Sequence, residues 1–157
     1  MPIIDLHCDT IMKLYENPNS NLLENHFQID LKRLQQKDFL LQTFAIFLDK
    51  QQYPQRKKTA LHMYQRFIKE LEKNAATIGL IKTQADYNEN KANKQISALL
   101  TLEEGGILEG KIENLEEFYQ LGVRLITLLG TIQMKLAHQI SFIGTKKSIF
   151  WRKTRLA

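Results

Sequence analysis

The sequence predicts an α/β protein built from repeated βα units. Short apolar runs alternate with longer segments of helical period, which is neither the pattern of a bundle nor that of a sandwich. The second of these runs is apolar almost throughout, as a strand buried on both faces must be. Histidine and carboxylate residues stand at the carboxyl ends of two of the runs, the end at which α/β barrels place their sites.

The first strand is read from Ile3 to Leu6, followed by a short helix after Thr10. Phe39 to Leu48, rich in Leu and Phe, is the second strand. Tyr53-Pro54 marks a turn, and a long helix is expected from Gln55 to Ile78. Leu61, Tyr64, Phe67, Ile68 and Leu71 form its core stripe, with Lys57, Lys58, Arg66, Lys69, Glu72 and Lys73 largely on the other faces. The polar stretch Thr83 to Asn93 reads as a short helix and a loop, and Ile96 to Leu102 as the third clear strand. That strand runs into Glu103-Glu104-Gly105-Gly106. Asn114 is the expected cap of a helix from Leu115 to Leu121, Gly122 its terminator, and Val123 to Leu128 the fourth strand. Past Leu128 neither stripe nor alternation continues, so 129–157 is expected to be irregular.

With 43% hydrophobic and 25% charged residues, the 157-residue chain has ordinary globular composition, which excludes disorder of the whole. One cysteine, Cys8, cannot close an intramolecular disulfide or form a thiolate zinc cluster, and a reducing compartment fits it. No signal-type start and no long uncharged apolar run is present, so a cytoplasmic location off the membrane is expected. The net charge of +5 is uneven: Lys135, Lys146, Lys147, Arg152, Lys153 and Arg155 follow Leu128 with no acid among them, leaving 16 basic against 17 acidic residues before it. The body is therefore near neutral, and the basicity belongs to the tail.

His7-Cys8-Asp9 is the first chemical candidate. In extended backbone His7 and Asp9 share a face and Cys8 points away, which sets an imidazole and a carboxylate side by side, a donor pair suited to zinc. Such a triplet arises readily by chance, and a solvated loop in which Asp9 caps the following helix is the plain alternative. Glu103 is the second candidate, beside glycines that permit close backbone approach; its alternative is an ordinary acidic turn. His26, His62 and His138 are read as packing or surface residues.

Three segments resemble one family, the membrane dipeptidases. Asp5-Leu6-His7-Cys8-Asp9-Thr10 is similar to its opening Asp-x-His-x-Asp block. His26 through Leu34, with Leu41-Gln42-Thr43-Phe44-Ala45, is similar to its second block, and Leu102 through Gly106, with Asn114-Leu115 and Phe118 through Leu128, to its third. The resemblance implies a (β/α)8 barrel, of which this chain would hold the first four or so units, and a site with two zinc ions. It implies hydrolysis of dipeptides by a hydroxide held between the ions. By position, His7 and Asp9 would ligate one zinc and Glu103, rather than Glu104, would bridge both. The second zinc's two histidines and the groups handling substrate come, in the family, from later strands.

Beyond Leu128 the family continues with Thr-Trp-Asn, a Pro-Asn-Glu segment and a further Pro-Asn, where this chain reads Leu129-Gly130-Thr131-Ile132-Gln133-Met134-Lys135-Leu136. Back-translation of that stretch, read from its third base, permits Trp-Asn-Tyr-Pro-Asn-Glu-Ile and, shortly after, Pro-Asn. A single-base deletion, in the gene or in its determined sequence, would account for a frameshifted 129–157. A truncated barrel is expected to be inactive alone and to expose two unpaired strand edges that favour self-association, since about 250 residues close the barrel. Two other readings stand beside this one. A basic tail could bind nucleic acid, although it lacks interleaved aromatics. A deaminase-like enzyme would open with His-x-His rather than His-x-Asp.

Overall fold

The computed structural model describes residues 1–49 and 52–127, together with the backbone of 148–150. Its strands are β1 (Ile3–Asp5), β2 (Phe39–Phe47), β3 (Ile78–Leu80), β4 (Ile96–Glu103), β5 (Val123–Thr127) and β6 (Ser148–Phe150). Its helices are α1 (Thr10–Glu16), α2 (Leu31–Gln35), α3 (Arg56–Lys73), α4 (Gln84–Ala92) and α5 (Ile112–Leu121), with a 3-10 turn over Gly105–Leu108. The sheet runs β1-β2-β4-β5-β6, with β3 also beside β4. All pairings from β1 to β5 are parallel. One edge of β4 is lined by β2; the other is shared by β3, at Ile96–Ala98, and β5, at Leu100–Glu103. Parallel strands with intervening helices form an incomplete α/β barrel of TIM type.

The two faces of the sheet have different duties. Phe44, Ile46, Leu100, Leu102 and Ile126 point to the helices and are buried with Phe67, Met63, Ile11, Leu14 and Leu31 in one core. Phe44 and Phe67 meet ring to ring at 4.8 Å, which ties β2 to α3. The opposite face carries Thr43, Ala45 and Phe47 in register with Leu99, Thr101 and Glu103. Glu103 therefore stands on the side away from the helices, as a barrel's inward residues do.

Several boundaries differ from the sequence expectation. The long helix stops at Lys73 rather than reaching Ile78, because the Asn74 side chain donates to the Glu70 carbonyl at 2.8 Å and turns the chain. Ile78–Leu80 is then free to pair with β4, a strand too short to show an alternation of its own. The buried stripe of α3 is Ala60, Met63, Phe67, Glu70 and Leu71, while Leu61, Tyr64 and Ile68 are only partly buried on its flank. Asn114 does not cap α5: Lys111 holds that place, and Asn114 sits one turn in. Its amide instead donates to the Leu108 carbonyl at 2.9 Å and accepts from Lys57 Nζ at 2.7 Å, so it fastens the 3-10 turn to α3 and α5.

Gly122 does end α5, at φ 115°, a left-handed value that a side chain would strain. Thr83 and Asp86 form a full capping box, which explains why the polar stretch after Ile81 holds a helix. The edge expected to be open beside β5 is occupied by β6, which pairs with it antiparallel. β6 falls within the stretch expected to be irregular. The remainder of 129–157, including His138, all six basic residues and the frame change, lies outside the described residues.

Candidate metal centre

β1 ends at Asp5, and the next four residues leave the sheet before α1 begins. Two hydrogen bonds hold this short segment: the His7 amide donates to the Asp5 side chain, Oδ1, at 3.2 Å, and the Ala45 amide on β2 donates to the Cys8 carbonyl at 2.9 Å. Cys8 is buried, while the His7 and Asp9 side chains are 51% and 44% exposed, so the expected alternation survives past the strand end. Burial, opposed by hydrogen bonding to Thr10 and assisted by the Asp5 and Asp9 charges, pushes the Cys8 thiol up to about 11. A thiol in that state is a poor competitor for a cation.

Asp9 occupies the position before α1, yet its side chain makes no capping hydrogen bond. One of its oxygens, Oδ1, is shielded from solvent and has no hydrogen-bond donor. A buried carboxylate oxygen left without a donor is costly unless a positive charge faces it. What faces it is His7 Nε2 at 3.4 Å, and the same nitrogen lies 3.4 Å from Glu103 Oε2. The three ligand atoms lie within 4.8 Å of one another.

Those separations can be tested against a cation. Ligands at about 2.1 Å from a tetrahedral zinc stand about 3.4 Å apart along each edge of the tetrahedron. One neutral imidazole and two carboxylates also supply the charge and the nitrogen–oxygen donors that a divalent, borderline ion prefers. The two separations from His7 Nε2 match that edge and the third lies within 4.8 Å, so the donor set fits a divalent ion. The structure thus brings together His7, Asp9 and Glu103, from two different strand ends. Of the other histidines, His26 stacks edge-on against Phe27 at 4.5 Å and His62 is exposed on α3.

Glu104 takes no part in the cluster. It is buried, its carboxylate accepts from the Gly106 amide at 3.2 Å, and it pairs with Arg56 at 3.4 Å. Its backbone adopts φ 86° and ψ 92°, a conformation that costs a side-chain-bearing residue about 1–3 kcal/mol. Sequence reasoning missed Arg56, for which no spacing rule exists, and saw no role for Glu104. A cleft of about 410 Å3 opens beside His7 and Asp9, with Lys13, Gln28 and Ile29 on its other wall. These residues come from α1 and the loop before α2, and their convergence is a product of the fold alone.

Among the described residues no helix is long and apolar enough to cross a membrane. No curated protein sequence matches the chain. Solved structures do. A dipeptidase, itself a metallopeptidase of family M19, superposes with a TM-score of 0.71 at 21% identity, over 79% of this chain and 41% of that one. A metallopeptidase from Rhodobacter sphaeroides, liganded with a phosphinate mimic of the dipeptide L-Ala-D-Ala, gives 0.72 at 19% identity, over 79% and 44%. A probable dipeptidase from Pseudomonas aeruginosa gives 0.60 at 14%, over 77% and 37%. These likenesses show the fold, and the chain spans less than half the length of each. The family model described as membrane dipeptidase, peptidase family M19, matches residues 1–148. On that match, which extends over nearly the whole sequence and includes both segments that form the cluster, this chain belongs to the membrane dipeptidase family.

Proposed function

We propose that this chain carries the first cation-binding portion of a zinc-dependent dipeptidase, with His7, Asp9 and Glu103 as the ligands it contributes. The observation that carries this reading is the convergence of one imidazole nitrogen on two carboxylates at 3.4 Å each, with one of those carboxylate oxygens buried and lacking a donor. Dipeptides are the substrate class; the family supports this, as does the dipeptide mimic bound to the Rhodobacter relative.

The residues present divide the work. Asp9 and Glu103 supply two negative charges that attract a divalent ion to the mouth of the sheet. His7 supplies the one nitrogen donor of the set. The cleft walled by Lys13, Gln28 and Ile29 gives a small polar substrate room beside those ligands. Zinc, when bound, supplies Lewis acidity toward a peptide carbonyl and activates water near neutral pH.

His7, Asp9 and Glu103 are the one group of three such ligands among the described residues. Among the described residues three donors hold one ion and offer no second set, and on that basis we propose that this chain by itself binds zinc but does not turn over dipeptide. Titration of the purified 157-residue chain with zinc, in parallel with an L-Ala-D-Ala hydrolysis assay, tests both halves. One ion bound and no alanine released is the expected result. Failure to bind zinc would remove the metal reading, and turnover would remove the claim of inactivity. We also infer that the frame shifts after residue 128, because the neighbouring frame of 129–140 permits the family's continuation; against this stands the family match itself, which runs on to residue 148. Resequencing the gene across codon 128 decides it: an intact gene encoding the chain as written would end that idea.

A further inference from the structure

We propose that Glu104 and Arg56 act as positioning residues, a clamp that aims Glu103 into the metal centre. The inference rests on the reading of Glu103 as a ligand. In a continuous strand, Glu103 and Glu104 would project to opposite faces and β4 would simply run on. Instead β4 stops at Glu103, and Glu104 turns into a left-handed conformation, φ 86°, that glycine would take without strain. Glycines follow at 105 and 106, yet the strained position itself holds a glutamate.

The glutamate is kept there by two contacts. Its carboxylate accepts from the Gly106 amide at 3.2 Å, which closes the 3-10 turn onto the strand end. The same carboxylate meets Arg56 Nη1 at 3.4 Å, 48 residues distant and at the first position of α3. Gly106 provides the space, since a Cβ there would land on the Arg56 guanidinium and on the Glu104 carboxylate. Only 9% of the Glu104 side chain and 26% of the Arg56 side chain remain exposed, so the pair is packed behind the strand end.

Two consequences follow for Glu103. Strand register already sets the Glu103 carboxylate on the face of His7 and Asp9, and the turn fixed at Glu104 holds the last peptide of β4 in place directly after it. The guanidinium neutralises the adjoining carboxylate, so Glu104 neither repels Glu103 nor draws the cation out of its seat.

Cobalt(II) titration of the full chain tests the clamp, because both affinity and the visible ligand-field bands report on ligand geometry. Arg56→Gln and Glu104→Gly are each expected to weaken cobalt binding about tenfold and to change the bands, while Arg56→Lys recovers most of both. A purely structural role would lower the metal-free melting temperature and leave the bands as they are. Parental affinity and bands in both variants would overturn the proposal. Should Arg56→Gln or Glu104→Gly not fold, Glu104→Gln decides: it keeps an acceptor for the Gly106 amide and loses the charge, so a weaker, altered cobalt site supports the clamp and a parental one overturns it. Glu103→Ala separates the two levels. A large loss there, with parental clamp variants, refutes the clamp alone; parental binding in Glu103→Ala refutes the ligand assignment and the clamp together.

Discussion

Two carboxylates, Glu70 and Asp9, are placed in opposite circumstances by the same fold. Glu70 on α3 is fully buried and saturated with donors: the Leu22 amide at 2.7 Å, Lys73 Nζ at 3.0 Å, and the Arg66 guanidinium, which also reaches the Ser20 carbonyl. Asp9, at the sheet's mouth, has an oxygen equally shut off from water, but nothing donates to it. One carboxylate is finished by the chain itself and fastens the loop after α1 to the long helix. The other is left incomplete: a metal-type nitrogen, His7 Nε2, faces it at 3.4 Å and lies equally far from a second carboxylate, Glu103. Charge satisfied within the chain marks structure; charge left open by it marks a place for a cation.

The largest effect should come from the finished side. Glu70→Ala strips a partner from Arg66 and leaves the Leu22 amide without an acceptor, and is expected to cost about 3–5 kcal/mol in urea unfolding. A loss below about 1 kcal/mol would show that the contrast between the two carboxylates is not energetic. Burial alone would raise the Glu70 pKa, but the Leu22 amide, Arg66 and Lys73 outweigh it and hold the carboxyl below the usual glutamate range. A lowered pKa contributes stability above the unfolded-state value and loses it as pH falls through the folded one. The parent chain should therefore lose stability on acidification below the ordinary glutamate range, and Glu70→Ala should show a shallower slope there in pH-dependent unfolding.

The open side should respond to metal rather than to mutation alone. Zinc at a hundred times its dissociation constant should stabilise the chain by about 2.7 kcal/mol, a rise of about 5–10 °C in thermal melting. No shift would sink the cation reading of the open carboxylate. Thr83→Ala, which removes the capping box of α4, is an intermediate control: about 1 kcal/mol lost with and without zinc alike. Asp9→Asn should have the smallest effect on the metal-free chain, within about 0.5 kcal/mol, while abolishing most of the zinc-induced shift. A large metal-free loss in Asp9→Asn would mean that Asp9, like Glu70, is a structural carboxylate.

Much of this contrast was legible before any coordinates. Apolar runs separated by helical periods placed β1, β2, β4 and β5 within a residue or two; β2, β4 and β5 are long or buried enough to show their pattern, whereas the three-residue β1 was read from its apolar run ahead of His7. The alternation through His7, Cys8 and Asp9 and the strand-end position of Glu103 pointed to one face, and the three side chains do converge. What stayed hidden depends on partners distant in sequence. β3 exists only because β4 offers an edge, and Asn74 rather than a breaker residue frees it from α3. Glu70 looked like one more charge on a helix face until Leu22 and Arg66 arrived from other elements. Glu104 and Arg56, 48 residues apart, have no local signature at all.

Zinc K-edge X-ray absorption on the loaded chain tests the central claim most directly, because it reads the atoms around the ion. The account predicts a shell of nitrogen and oxygen only, at about 2.0–2.2 Å, with imidazole scattering that disappears in His7→Ala. A sulfur shell at about 2.3 Å would place Cys8 in the site instead. That result, or an imidazole signal indifferent to His7, would contradict it.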